Sequence, residues 1–173
     1  MSETEEETKR PKVIVVMTAR QAAATLRETF SEIPQDEVDE VILVDDSSTD
    51  ETVELARELD INVVWHPHQV GYGGNQKTCY LEALQRCADV VVMLQPDGQY
   101  EPGLIPSLIK PIVDGEADLV LGSRLLVPGW ALQAGMPRWK FIANRFLTTI
   151  ENRIMGLNLS AAHTGYRAYS REL

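Results

Sequence analysis

Five short apolar runs rich in β-branched residues, the first four each followed by a stretch of helical spacing, constrain this fold more than any other feature. The first unit is Lys12–Met17 (KVIVVM), with alanines and leucine at helical spacing over Gln21–Ile33. Glu40–Val44 (EVILV) is followed by Asp50–Leu59, Asn62–Trp65 (NVVW) by Asn75–Cys87, and Asp89–Leu94 (DVVVML) by Glu101–Val113. Asp118–Leu121 (DLVL) closes the series. Short continuous apolar runs suit strands buried on both faces. Their alternation with helices predicts an α/β fold, a mostly parallel sheet flanked by helices, because crossovers between parallel strands are right-handed and lay helices on both faces. In such sheets ligands bind beyond the carboxyl ends of the strands, so the residues after each run carry most information about function.

Those residues are small, polar and charged. After the second run comes Asp45-Asp46-Ser47-Ser48-Thr49-Asp50. Asp50 or Thr49 suits a helix cap, but capping does not require two adjacent carboxylates, which repel each other unless donors or a cation face them. After the third run, His66 to Gly74 (HPHQVGYGG) reads as a loop whose glycines, Gly73 among them, let backbone approach a ligand. It has neither P-loop nor G-x-G-x-x-G spacing, and His66 and His68 read as loop residues rather than metal ligands. After the fourth run, Gln95-Pro96-Asp97-Gly98 places a carboxylate on the edge that also carries Asp45 and Asp46. There Asp97 suits a divalent ion bridging diphosphate oxygens. Arg124 in Gly122-Ser123-Arg124 and Arg167 in Thr164-Gly165-Tyr166-Arg167 offer planar forks for phosphate, with surface ion pairs as the alternative reading.

Composition narrows the classes. A formal net charge of −10 opposes broad nucleic-acid binding, which needs a basic surface. The opening residues MSETEEE make positions 1–10 an expected disordered acidic leader, with one domain over 11–173. No apolar run approaches the ~20 residues of a membrane-spanning helix. Cys79 and Cys87, eight residues apart on one expected helix, would stand ~12 Å apart along its axis and cannot pair, which fits a reducing, cytoplasmic setting. Pro137–Leu157 reads as an amphipathic helix with a stripe of Phe141, Phe146, Ile150 and Ile154 beside Trp139, Arg138, Lys140, Arg145 and Arg153. A stripe of this kind ordinarily seats in a core; Trp139 and the basic residues also suit a headgroup layer.

Taken in order, DDSSTDET, the G-Y-G-G loop, QPDGQY, L-G-S-R and T-G-Y-R-A-Y-S-R resemble the family 2 glycosyltransferases, over essentially residues 12–173. The branch most resembled contains dolichyl-phosphate mannose synthase and bacterial polyprenyl-phosphate glycosyltransferases. The resemblance implies a Rossmann-like GT-A fold that binds a GDP- or UDP-sugar and transfers the sugar with inversion to a polyprenyl or dolichyl phosphate, peripherally at the inner face of a membrane. Transfer to a hydroxyl acceptor and an inactive nucleotide-sugar binding module are the alternatives. By the same resemblance, Asp45 and Asp46 hold base and ribose, Asp97 is the carboxylate of a D-x-D signature that binds Mg²⁺ or Mn²⁺, and Arg124 and Arg167 face phosphates. The sequence departs from the family pattern in three places: Gln95 stands for the first Asp of D-x-D, Met17-Thr18-Ala19-Arg20 for P-x-(Y/L)-N-E, and Gln69 for an Asn. Relatives continue past the T-G-Y-R motif, so a chain truncated at its C-terminus is expected. No Glu-Asp pair follows the fifth run to act as a base, which favours a phosphate acceptor, already an anion at neutral pH.

Overall fold

The computed structural model describes residues 10–126 and 137–173. The expected acidic leader therefore lies almost wholly outside the described residues. Six strands form one sheet: β1 (Val13–Ala19), β2 (Glu40–Asp45), β3 (Asn62–Trp65), β4 (Val90–Leu94), β5 (Leu119–Leu121) and β6 (Arg167–Ser170), in the spatial order β3-β2-β1-β4-β6-β5. β1 pairs in parallel with β2 and β4, and β2 with β3. β6 runs antiparallel between β4 and β5. The fold is thus α/β with a mostly parallel sheet, as the alternation of runs implies.

Successive side chains of a strand face opposite sides, and each side of this sheet is covered. Val13, Val15 and Met17 of β1 join Leu43, Val92 and Leu94 beneath Leu26 of α1 (Ala23–Ser31), Ala56 of α2 (Thr52–Glu58), and Ile105 and Ile109 of α4 (Ile105–Val113). Ile14 and Val16 join Ile42, Val44, Val91 and Met93 beneath Cys79 and Ala83 of α3 (Gly71–Gln85). The chain steps outward from β1 to β2 to β3 and then returns through α3 to β4 on the other side of β1. The strand order reverses between β1 and β4, and a crevice opens there beyond their carboxyl ends.

Three elements differ from the sequence expectation. α3 begins at Gly71, so the glycines expected in a loop form its first turn, and it ends at Gln85, before Cys87. The cause is a distant cap: the Asp46 carboxylate accepts from the backbone N–H groups of Val70 (2.7 Å) and Gly71 (3.1 Å), satisfying donors that a helix start leaves open. β6 arises from the T-G-Y-R-A-Y-S segment, whose alternation of buried Tyr166 and Ala168 with half-buried Arg167 and Tyr169 is too short to stand out beside the site motif it overlaps. The last helix, α5 (Arg138–Met155), forms where expected but does not bury its apolar stripe. Trp139, Ile142, Phe146 and Ile154 are 64–79% exposed. Its polar side faces the following segment instead: Asn152 exchanges two hydrogen bonds with Leu159, Thr148 accepts from the Ala162 N–H, and Glu151 pairs with His163.

Candidate functional site at the carboxyl edge of the sheet

The crevice at the reversal point is a cavity of about 660 Å³. The turn after β1 supplies Thr18 to Ala22, and Thr25 adds to that wall from α1. Asp46 comes from the end of β2, Gln69 to Tyr72 and Asn75 from the start of α3, and Gln95 to Asp97 from the end of β4.

The β1 turn is tied to the Asp45–Asp50 segment. Gln21, at φ +56°, donates through its backbone N–H to Ser48 Oγ (2.9 Å) and through its side-chain Nε2 to Thr49 Oγ1 (2.8 Å), and its side-chain Oε1 accepts from the Asp50 N–H (3.1 Å). Ala22 N–H donates to Thr52 Oγ1 (2.8 Å). Burial opposes ionisation of Asp50, but hydrogen bonds from Thr52 and Ala23 outweigh it and hold the carboxyl below its ordinary value. Across the cavity, Thr25 Oγ1 of α1 donates to Pro96 O (2.5 Å), joining the wall beside the β1 turn to the β4 end. The cavity therefore has walls fixed by side-chain to backbone bonds, as a preformed ligand site requires.

Of the residues singled out from sequence, Asp46, Gln95 and Asp97 line this cavity, and Asp45, Gly73, Arg124 and Arg167 do not. Asp45 is fully buried; one carboxylate oxygen accepts from the Ser48 N–H (2.8 Å) and the other has no partner. Gly73 sits on an exposed face of α3 with open space where a Cβ would go. Asp97 stands exposed at the end of its turn, accepting from the Gln99 N–H (3.0 Å). Gln99 in turn accepts from Arg124 (2.9 Å), whose guanidinium lies 5.0 Å from the Tyr100 ring centre, so Arg124 braces the Asp97 turn from behind. Arg167 donates through Nε to Thr164 O (2.6 Å) and through Nη1 to Tyr169 Oη (3.3 Å). Sequence reasoning passed over Tyr72 and Asn75. Asn75 is buried, spends its amide nitrogen on Val44 O (2.9 Å), and leaves its carbonyl oxygen without a protein partner in the cavity wall. The helical period in the sequence starts at Asn75 and places Tyr72 in a loop, so neither residue stands out before the start of α3 is known.

Among the described residues, no three of His, Cys, Asp and Glu gather into a metal-binding group. The local donors are hard oxygens, suited to Mg²⁺ or Mn²⁺, but Asp97 supplies the one carboxylate at the β4 end. The Gln95 amide nitrogen donates to Tyr72 Oη (3.0 Å), and its carbonyl oxygen lies where a Cβ on Gly165 would approach to 2.9 Å. The arrangement fits a cation shared between Asp97 and the oxygens of a bound diphosphate, and does not form a cage of its own.

A doubly wound sheet with carboxylates on either side of its reversal crevice has the plan of a nucleotide-binding domain. Residues 14–173 match the model of Glycosyl transferase family 2, and the chain belongs to that family. It is similar to the low-salt glycan biosynthesis hexosyltransferase of Haloferax volcanii, 36% identical over 76% of this chain and 30% of the relative. It is also similar to the undecaprenyl-phosphate mannosyltransferase of Micrococcus luteus, 33% identical over 75% and 54%. Among solved structures, it resembles glucosyl-3-phosphoglycerate synthase from Mycobacterium tuberculosis in complex with Mn²⁺, UDP-glucose and phosphoglyceric acid. That likeness has a TM-score of 0.69 and 25% identity, and covers 94% of this chain and 57% of that one. The fold is GT-A, and the chain spans between about a third and three fifths of the length of these relatives.

Proposed function

We propose that this chain is the donor-binding part of an inverting glycosyltransferase that moves a hexosyl group from a nucleoside diphosphate sugar to a polyprenyl phosphate. The observation that carries the reading is the cavity at the β1/β4 reversal, with Asp46 on one wall and Asp97 on the other. The nucleoside lies toward Asp46 and the β1 turn, and the diphosphate toward Asp97. In the transfer, an acceptor phosphate oxygen forms a bond to the anomeric carbon as the bond from that carbon to the diphosphate breaks, and nucleoside diphosphate leaves. Asp97 would hold a divalent ion at the diphosphate, and that ion would supply neutralisation of the charge that grows on the leaving group. The acceptor needs no general base, in keeping with the Gly122-Ser123-Arg124 segment after β5, which offers an arginine rather than a carboxylate. Arg167, at the start of β6, is the group assigned to the acceptor phosphate.

Two further features support a lipid-linked acceptor. The Micrococcus luteus relative is named for undecaprenyl phosphate. The exposed apolar face of α5 is bordered by Arg138, Arg145 and Arg153, an arrangement suited to an anionic membrane surface. Among the described residues no helix is long and apolar enough to cross a membrane, so attachment through α5 is peripheral. The test is calorimetric titration of UDP, GDP and their hexose conjugates with and without Mn²⁺, followed by transfer assays on a short polyprenyl phosphate. Metal-assisted binding of one nucleotide family and transfer to the lipid phosphate are expected. Binding without transfer to any acceptor would make the chain a nucleotide-sugar binding module instead.

A further inference from the structure

Gln95 stands where the resemblance to the family's D-x-D signature implies a first carboxylate, and its side chain is committed to Tyr72. Its Nε2 donates to Tyr72 Oη at 3.0 Å, and Gln76 Nε2, one turn further along α3, donates to the same oxygen at 3.0 Å. A phenol oxygen that accepts from two amide groups keeps one O–H to give away. Tyr72 is 52% exposed, lines the cavity between the Asp46 and Asp97 walls, and lies within the field of the Arg167 guanidinium. Burial of part of its ring raises the phenol above its ordinary value, so the proton stays in place at neutral pH. Among the described residues, no hydrogen bond to a protein acceptor uses that proton.

We infer that the Tyr72 hydroxyl donates to an oxygen of the donor's diphosphate, and that Gln95 is a positioning residue which aims Tyr72 rather than a ligand of the cation. A neutral donor fixed by two amides is preorganised for charge that increases as the diphosphate leaves, and it supplies part of the stabilisation a second metal-bound carboxylate would otherwise bring through the ion. The inference rests on the donor-site reading above.

The test is titration of the nucleoside diphosphate that the wild-type chain binds, and of the matching nucleoside, into wild type, Tyr72→Phe, Gln95→Ala and the double variant, each with and without Mn²⁺. Tyr72→Phe is expected to weaken the diphosphate about 10-fold, the scale of a hydrogen bond to a charged group, and to leave the nucleoside unchanged. Gln95→Ala should reproduce most of that loss, and the double variant should lose no more than Tyr72→Phe alone, since both changes remove one interaction. Unchanged diphosphate affinity in Tyr72→Phe, or an equal loss for the nucleoside, overturns this assignment and leaves the donor-site reading standing. Failure of the wild type to bind any nucleotide, with Mn²⁺ or without it, overturns the donor-site reading and this inference with it.

Discussion

Asp46 and Asp97 look alike in the sequence, each a carboxylate just beyond a strand, yet the structure gives them different work. Asp46 is 5% exposed and spends its oxygens on two backbone N–H groups at the start of α3; Asp97 is exposed and accepts one bond within its own turn. Removing a buried acceptor strands its donors at a cost of about 1–3 kcal/mol. Asp46→Ala should therefore lower the melting temperature by roughly 2–12 °C, given about 2–4 °C per kcal/mol for a chain of this size. It should also weaken nucleotide binding, because Val70 to Tyr72 form a cavity wall. Asp97→Ala should leave the melting temperature nearly unchanged and remove the Mn²⁺-dependent part of binding. Equal destabilisation by both would contradict the division of labour. The sequence showed that carboxylates collect on one edge, because strand ends are legible from the apolar runs. It did not show which carboxylate caps a helix, because the Asp46 bonds join residues 24 and 25 apart along the chain. Tyr72 and Asn75 were hidden for the same reason: their significance depends on where α3 starts, and that start is fixed by Asp46 and not by α3's own residues.

Among the elements, the parallel strands β1 to β4 could be read directly, since continuous apolar runs have few other uses in a chain of this composition. β6 could not, because Ala168 is its one buried position and the paired neighbours on both sides, β4 and β5, supply the rest of its reason to be a strand. Gly122 shows the same coupling: a Cβ there would come within 2.8 Å of the buried Tyr166 ring, so this glycine of the L-G-S-R motif makes room for a core tyrosine. α5 is the converse case, a helix whose periodicity is plain and whose partner is not. Its polar residues Thr148, Asn152 and Glu151 are engaged by the segment that follows, which turns Trp139, Ile142, Phe146 and Ile154 outward. If that face meets a lipid surface, the chain should co-sediment with phosphatidylglycerol vesicles and much less with phosphatidylcholine ones. Phe146→Glu with Ile154→Glu should abolish sedimentation while shifting stability by no more than about 0.5 kcal/mol per site, as expected of exposed positions. Equal sedimentation of wild type and double variant would remove α5 from the account of the acceptor.

At the scale of the whole molecule, both faces of the sheet bury groups that must stay protonated. On the α3 side the Cys79 thiol, with no exposed surface, is pushed up to about 12 by burial, and the Tyr80 phenol beside it is raised by burial as well. On the other side burial raises Tyr166, which donates to Glu101 O at 3.2 Å. In the unfolded chain a thiol titrates near 8.5 and a phenol near 10. Above those values the unfolded state has lost protons that the folded state still holds, so stability must fall as pH rises. The contribution of Cys79 is fully present below about pH 8.5 and is lost progressively toward its folded value of about 12. The urea midpoint should therefore stay level, as far as these groups set it, from pH 7 to about 8.5 and decline steeply above. Thiol chemistry gives an independent reading of the same packing. Cys87, exposed in the turn after α3, should react with a disulfide reagent at once at pH 8, whereas Cys79 should react only as fast as the molecule opens, and its rate should climb with the alkaline loss of stability. Two thiols reacting together at pH 8 would mean that α3 lifts from the sheet as a unit. Because its first turn forms one wall of the cavity, nucleotide binding should then slow the second thiol in proportion to ligand occupancy. Rapid reaction of both thiols, unaffected by saturating nucleotide, would contradict the tie between the Asp46 cap, the α3 face and the donor cavity.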